Sequence, residues 1–330
     1  NLTEVHFDDG LSNFWRSLQV IGKGAFYECK ALQRVIIPSS VIELGSYAFQ
    51  GCINLIEVSF DDGLQIIEAG AFYECKALQD LTLPSSVTKL GNYAFDTCRN
   101  LAVVQFSDGV LQAIGDNAFR DCTTLRSATF SSVAKLGQRA FIGCRNLTEV
   151  ILLGGERLLN QGFFDRGLSS EEGALDQKKI KELLRLISFP NCSLTTVKAS
   201  ISKALSDRMA RMSLERRLSV EGRIRGLRSL ELTQDGNILA CFPVVSSPGV
   251  MDVQDTNNQT ARSLHQVLRL ISFYELKESS ILVELAMWKS RLNKDQARAD
   301  CRTPIPDPAK RLILEYCGFV GFLTPAIEGD

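Results

Sequence analysis

The feature that most constrains the fold is an Ala-Phe dipeptide that recurs along the first half of the chain. Its Phe stands first at position 26 and returns five times, at spacings of 23, 23, 23, 24 and 22 residues. A Cys follows each Phe by three residues, and a Leu follows each Cys by three more. Six units in one register predict stacked copies of one structural unit. The recurring pairs are Phe26 and Cys29, Phe49 and Cys52, Phe72 and Cys75, Phe95 and Cys98, Phe119 and Cys122, and Phe141 and Cys144.

Each unit predicts one short β-strand and one return segment. The strand is a Val-x-Ile or Val-x-Phe piece, which alternates apolar and polar residues as a half-buried strand does. The return is Ala-Phe-x-x-Cys-x-x-Leu, whose apolar spacing suits a short helical or 3₁₀ segment. A single coil cannot bury its own apolar stripe, so the coils must stack. The sequence therefore predicts an α/β solenoid of about 23 residues per coil, with one short strand per coil, over residues 1–165.

A longer period is superimposed on the coils. The turns after the strands alternate between an Asp-Gly type, as at Asp61-Asp62-Gly63, and a Pro-Ser type, as at Pro84-Ser85-Ser86. This alternation indicates tandem duplication of a two-coil block. The first coil also carries about seven extra residues, among them Phe14 and Trp15. These aromatic residues are expected either to cap the exposed end of the solenoid or to project as a binding loop.

At these repeats the chain resembles the BspA-like (Treponema-type) leucine-rich-repeat family, whose unit has the form Ile-Gly-x-x-Ala-Phe-x-x-Cys-x-x-Leu. The resemblance covers about half of the chain. It implies a leucine-rich-repeat solenoid, and for function it implies adhesion or a binding scaffold.

The second half of the chain predicts a mainly α-helical region. Residues 166–245 are expected to hold basic helices and a hairpin between 230 and 242, residues 246–262 a polar linker, and residues 263–330 a C-terminal helical module. Parts of residues 271–314 resemble the helical tail on repeat proteins of unicellular algae, a resemblance that implies no activity.

Composition excludes several functional classes. The formal net charge of −1 does not favour binding of polyanions by the whole molecule, and no uncharged apolar run is long enough for a membrane-spanning helix. His6 and His265 are the only histidines and have no partner at a catalytic or metal-binding spacing, so neither a metal, a cofactor nor an active site is predicted. The chain starts at Asn1 without Met, so we expect its natural N-terminus upstream and leave the compartment open.

The cysteines admit two interpretations. Thiols stacked one per coil could come within disulfide range of each other. A ladder of buried, small and nearly apolar thiols suits the repeat better. The remaining cysteines, Cys192, Cys241, Cys301 and Cys317, share no spacing with the ladder.

The candidate binding residues flank the inward Val of each strand and face outward on the predicted concave side. They form two rows in which acids recur along the first, so the surface is expected to be either an acidic site for a basic partner or an ordinary solvated face. The candidates in these rows are Glu4, Arg34, Glu57, Asp80, Val103, Ser127 and Glu149, then His6, Ile36, Ser59, Thr82, Gln105, Thr129 and Ile151.

The basic stretch at 198–228 leaves three alternatives open. It could bind nucleic acid or an anionic membrane, it could be a solvated helical face, or it could fold back onto the acidic solenoid. The solvated face fits its amphipathic spacing best, so nucleic acid is not an expected partner. Arg216-Arg217-Leu218-Ser219 also matches a basic-directed kinase site, which makes Ser219 a candidate phosphorylation site.

The sequence thus predicts a non-catalytic scaffold that binds another protein through the solenoid. The alternatives are a cell-surface adhesion protein and, more remotely, an enzyme whose activity lies in the C-terminal half.

Overall fold

A computed structural model of the chain describes residues 3–6, 18–106, 111–131, 134–159, 175–176, 178–180, 189, 191–234, 236–247, 250–255 and 258–275. Phe14 and Trp15 lie outside these residues, as does the predicted C-terminal helical module beyond residue 275.

The first half is a solenoid in which each coil contributes one longer strand. Along these strands buried and exposed residues alternate, because successive side chains point to opposite faces. The first three of these strands form one sheet and the later ones belong to another, with no strand pairing between Glu57–Phe60 and Asp80–Leu83. Within each group neighbouring strands are parallel and in register, as where Arg34, Val35 and Ile36 oppose Glu57, Val58 and Ser59. The longer strands are β1 (Glu4–His6), β3 (Arg34–Ile37), β5 (Glu57–Phe60), β7 (Asp80–Leu83), β9 (Val103–Phe106), β11 (Ser127–Ser131) and β13 (Glu149–Leu153).

A second strand per coil was not predicted. It has two residues and lies before the Gly of the repeat; six of these strands form a separate parallel sheet. Two residues are too few to show an alternating pattern, which is why the sequence indicated one strand per coil. The short strands are β2 (Val20–Ile21), β4 (Glu43–Leu44), β6 (Ile66–Ile67), β8 (Lys89–Leu90), β10 (Ala113–Ile114) and β12 (Lys135–Leu136).

Close approach of adjacent coils explains the Gly that follows each of several short strands. A Cβ on Gly91 would lie 2.4 Å from the backbone nitrogen of Ala69, and one on Gly115 would lie 2.5 Å from the carbonyl carbon of Gly91. Backbone cannot move aside as a flexible side chain can, so a larger residue would push the coils apart.

The return segment is a series of turns rather than a regular helix. Tyr27 N–H donates to the carbonyl of Gly24 in its own coil, whereas Phe26 N–H donates to Ala48 of the next coil. Gly24 and Glu28 have φ values of 62° and 52°, in the left-handed region. A left-handed residue interrupts a right-handed helix, so the segment pairs with its neighbouring coil at alternate residues.

Two columns run along the core and join the coils. In the first, the Phe rings stack almost face to face with centroids 4.9 to 5.4 Å apart, from Phe26 to Phe141. In the second, each Cys Sγ donates to the carbonyl of the Phe in the preceding coil, as from Cys75 to Phe49 at 3.2 Å. The predicted ladder of buried free thiols is therefore confirmed for Cys52, Cys75, Cys98, Cys122 and Cys144.

The coil pattern continues beyond the predicted boundary at residue 165. The ring of Phe189 stacks on Phe141 with centroids 4.9 Å apart, and Cys192 Sγ donates to the Phe141 carbonyl at 3.0 Å. Strand β14 (Thr196–Ser200) then pairs with β13 in parallel register. Phe189, Cys192 and Val197 thus take the places of Phe, Cys and Val in a seventh coil, into which extra residues are inserted.

An antiparallel hairpin ends the stack. Strand β16 (Ile238–Ser247) pairs with β14 on one side and with β15 (Leu230–Leu232) on the other, as the sequence predicted for 230–242. β17 (Val250–Val253) pairs with β16 as well. The change from parallel to antiparallel pairing occupies the edge that a further coil would otherwise use.

The helices follow the edge strands. α1 (Ser202–Ala210) and α2 (Leu214–Arg225) account for most of the predicted basic helices, although 198–200 belong to β14. Residues 259–275 form a third helix, α3. The linker predicted at 246–262 is wrong, because these residues hold the end of β16, β17 and the start of α3. Their polar composition has a local cause: the carboxylate of Asp255 accepts hydrogen bonds from Thr260 N–H and Ala261 N–H.

Replacing Phe189 tests the seventh coil. We expect Phe189→Ala to lower the free energy of unfolding by about 3 to 5 kcal/mol, because the ring is 1% exposed and its removal leaves a cavity beside Phe141. Urea unfolding followed by circular dichroism measures the change. Phe189→Leu, which keeps most of the volume, should cost about 1.5 kcal/mol or less. If the alanine variant were as stable as the leucine variant, Phe189 would not belong to the stack.

Candidate binding surface

Parallel strands carry the two predicted rows of outward side chains, in one block on β7 to β14 and in another on β1 to β5. In the first row Asp80, Val103, Ser127 and Glu149 oppose one another from strand to strand, and Glu149 opposes Thr196 of β14. In the second row Thr82, Gln105, Thr129, Ile151 and Lys198 do the same. We call this surface the strand face. Toward its other end the pairs are Glu4 with Arg34, Arg34 with Glu57, His6 with Ile36, and Ile36 with Ser59.

Two basic groups of the same chain form ion pairs with four of the acids on and beside the strand face. The Arg34 guanidinium lies 3.6 Å from a Glu4 carboxylate oxygen and 3.5 Å from one of Glu57. At the opposite end the Lys198 ammonium contacts both Glu149 and Glu231. Each cation offsets one of its two acids, so the surface stays acidic but carries less charge than the sequence led us to expect.

Lys198 is the basic group most firmly held on this face. Burial lowers its pKa, but the hydrogen bonds and charges of Glu149 and Glu231 outweigh that effect and raise the pKa above its usual value. Lys198 therefore stays charged at neutral pH. Since it belongs to β14, which sequence analysis placed outside the solenoid, its neutralising role was missed.

The middle of the strand face combines one acid with short neutral side chains. Asp80 is exposed, and no ion pair to it occurs within the described part of the chain. Ser59, Thr82 and Gln105 are exposed, and Val103 is half-buried. Of the rim aspartates, Asp61 and Asp62 are exposed, whereas Asp8, Asp9 and Asp108 lie outside the described residues.

The ladder cysteines are poor nucleophiles. Burial raises the pKa of the Cys52 thiol to about 12, and it raises the pKa of Cys75, Cys98 and Cys122 well above the usual value. Since the thiolate is the reactive form, these residues are held in their unreactive state.

The opposite side of each coil carries residues that sequence analysis did not single out. We call the surface of the return segments the turn face. The residue before each Ala-Phe and the residue before each Cys have a left-handed backbone, so the turn face holds two columns of such positions. They are Gly24, Tyr47, Gly70, Tyr93, Asn117 and Arg139, then Glu28, Gly51, Glu74, Thr97, Asp121, Gly143 and Asn191.

Tyrosines mark the first four coils of the turn face. Tyr27, Tyr47 and Tyr93 are each 39% or more exposed, although their rings are large. A signal was present in the sequence, because Phe-Tyr-Glu-Cys occurs at 26–29 and again at 72–75, and Tyr-Ala-Phe occurs at 47–49 and 93–95. These recurrences follow the two-coil period.

In the last coils the turn face forms a groove of about 670 Å³. Three arginines line it, together with one acid, two asparagines and a serine. The lining residues are Asn117, Arg120, Asp121, Arg139, Ile142, Gly143, Arg145, Asn191 and Ser193.

The basic helices α1 and α2 pack against the edge strands β16 and β15, and side chains of both form hydrogen bonds to α3. Arg208 donates to both carboxylate oxygens of Glu275 at 2.9 and 2.6 Å, and Arg223 donates to Gln266 at 2.6 Å. Ser219 is exposed on α2, and its hydroxyl lies 3.0 Å from that of Tyr274. Phosphorylation of Ser219 stays a prediction.

Comparison with known proteins decides the family. The model of the family described as "BspA type Leucine rich repeat region" matches six copies, at residues 19–148 and 110–207, which together span more than half of the chain. The chain belongs to the BspA-type leucine-rich-repeat family. The match includes the seventh coil and β14.

Several solved structures are similar to this BspA-type chain. A leucine-rich-repeat protein of T. pallidum is 34% identical, with 46% of this chain and 72% of that one covered and a TM-score of 0.41. A leucine-rich cell surface protein of Faecalibacterium prausnitzii is 27% identical over 40% of this chain and 42% of that one, with a TM-score of 0.32. A Bacteroides capillosus leucine-rich-repeat protein is 36% identical over 27% and 63%, with a TM-score of 0.25. The chain thus spans less than two thirds of the last two proteins.

A search of the curated proteins finds no match to the chain. Within the described ranges, none of the helices combines the length and apolar character that crossing a bilayer requires.

Chemical labelling tests the state of the thiols. At about pH 8.5 roughly half of the cysteines in an unfolded chain are ionised, whereas Cys52 with a pKa of about 12 is almost wholly protonated. Iodoacetamide should therefore leave the five buried ladder cysteines unmodified in the folded protein and label them in urea, as peptide mass spectrometry would measure.

The half-buried Cys29 is the control, because burial protects it less. Native labelling of Cys98 as fast as that of Cys29 would contradict the protected ladder.

Proposed function

We propose that this BspA-type chain is a non-catalytic scaffold that binds another protein through the strand face. The observation that supports the proposal is the array of outward side chains in two rows, which parallel pairing fixes within β1-β3-β5 and within β7-β9-β11-β13. Strands in such a sheet are about 4.8 Å apart, so seven coils present a surface roughly 30 Å long. This length suits the roughly 800 Å² that each partner contributes to an ordinary protein interface.

The composition of the face favours a protein partner over chemistry. Its rows consist of short polar and aliphatic side chains, and Arg34 and Lys198 hold its acids at the two ends. In the C-terminal half, Cys241 on β16 carries a nucleophilic group, its thiol. Burial raises the pKa of this thiol to about 11. Both features favour a binding role over thiol chemistry.

The charges suggest what the partner presents. At each end of the strand face two acids share one cation, so each end keeps one negative charge. Within the described residues Asp80 has no ion pair, so its carboxylate is the one most open to a partner. A matching partner surface places a Lys or Arg opposite Asp80 and small residues around it. This proposal centres the acidic site expected from the sequence on Asp80.

Charge reversal in the middle of the strand face tests the proposal. We expect Asp80→Lys to weaken capture of the protein partner by the intact chain at least tenfold, because a like charge facing the partner's cation is repelled. Gln105→Arg should act similarly by placing bulk and charge between Thr82 and Thr129. Quantitative pull-down from cells of the source organism, followed by biosensor titration of the captured protein, measures both.

The matched control is Glu215→Lys, the same change of charge on the exposed part of α2. It should leave binding unchanged, and the thermal unfolding midpoint of every variant confirms folding. If Asp80→Lys and Gln105→Arg remain folded and bind as the wild type does, the strand face is not the recognition surface.

A further inference from the structure

The groove on the turn face has a chemical character that the strand face lacks. Arg120, Arg139 and Arg145 line it, and Asp121 is the one acid in its wall. Arg120 Nε lies 3.4 Å from an Asp121 carboxylate oxygen, so this pair is largely neutral. Within the described part of the chain neither Arg139 nor Arg145 has an ion pair. The groove therefore holds an excess of two positive charges.

The floor of the groove is built from left-handed backbone positions of consecutive coils. Asn117, Asp121, Arg139, Gly143 and Asn191 all have φ between 53° and 77°. Gly143 cannot be enlarged, because a Cβ there would lie 2.2 Å from a carboxylate oxygen of Asp121. The absence of a side chain at Gly143 therefore leaves room for the Asp121 carboxylate beside it.

We propose that this groove binds a doubly charged tetrahedral oxyanion, a phosphate or sulfate group. Guanidinium groups offer paired N–H donors that match such oxygens, and the excess of two positive charges balances two negative ones. The amides of Asn117 and Asn191 and the hydroxyl of Ser193 add neutral donors to the wall. The volume of the groove exceeds that of a bare phosphate ion, so a small organic phosphate ester also fits.

The site is independent of the proposed protein-binding surface. None of its lining residues belongs to the strand face. A variant of Asp80 should therefore bind the anion normally, and variants of the groove should bind the protein partner normally. Failure of one proposal is thus distinguishable from failure of the other.

The test is calorimetric titration of the full chain with phenyl phosphate at constant ionic strength and about pH 8, where the ester is a dianion. We expect saturable binding with one site. Arg139→Asn and Arg145→Gln should each raise the dissociation constant about tenfold, because each removes a charge-assisted contact. Asn tolerates the left-handed backbone of position 139, so this variant should fold.

We expect Asp121→Asn to lower the dissociation constant, the opposite of the arginine variants. It removes the carboxylate that competes for Arg120 and keeps a residue suited to a left-handed position, so it should tighten binding several-fold. The control is Arg126→Gln, which deletes an exposed charge of the same solenoid outside the groove. Its dissociation constant should stay within about twofold of the wild type, since the lost charge is exposed and screened.

The same titration is repeated with inorganic phosphate and with acetate. Phosphate binding as tightly as phenyl phosphate would support a free ion as the ligand, and tighter binding of the ester would support an organic phosphate. The proposal is overturned if phenyl phosphate does not bind saturably, if acetate binds equally well, or if Arg126→Gln weakens binding as much as Arg145→Gln does.

Discussion

The structure depends on one contact, the stacking of each coil on the next through a Phe ring and a Cys thiol. The carbonyl of Phe49 is buried and must find donors. It accepts from Cys52 N–H at 3.3 Å in its own coil and from Cys75 Sγ at 3.2 Å in the next. A thiol suits this position because it is small, weakly polar and easily buried, yet still donates a hydrogen bond. Ring stacking adds about 0.5 to 1.5 kcal/mol per pair beyond burial.

This contact fixes the distance between coils and thereby dictates both outer surfaces. On one side it brings strands into parallel register, so their outward residues form straight rows. On the other side it requires left-handed backbone at two places in every coil, which costs a residue other than Gly about 1 to 2 kcal/mol. Tyr93, Thr97 and Arg139 occupy such positions, so stacking of the coils must offset their cost. The turn face therefore carries large side chains at positions where Gly would adopt the left-handed backbone at a lower free-energy cost.

The sequence predicted the core because the core repeats. Phe, Cys and the strand Val recur at a near-constant interval, so their burial and register followed from counting. The seventh coil was missed because Phe189 follows Phe141 by 48 residues, although Cys192 keeps its spacing of three from Phe189. Lys198 was missed as a result, and the strand face was expected to be more acidic than it is. Composition likewise concealed β17, whose residues lie in a polar stretch at the edge of the sheet.

The groove could not be predicted in the same way, since the residues that form it are those that do not repeat. Arg120, Arg139 and Arg145 occupy three different positions within their units, and only stacking brings them to one place. The same stacking offsets part of the charge on the strand face, where Arg34 and Lys198 each lie between two acids. In the groove one carboxylate meets three guanidinium groups, so an excess of positive charge remains. Recognition at the strand face therefore depends on shape and on Asp80, whereas recognition at the groove depends on concentrated positive charge and should weaken more steeply with salt.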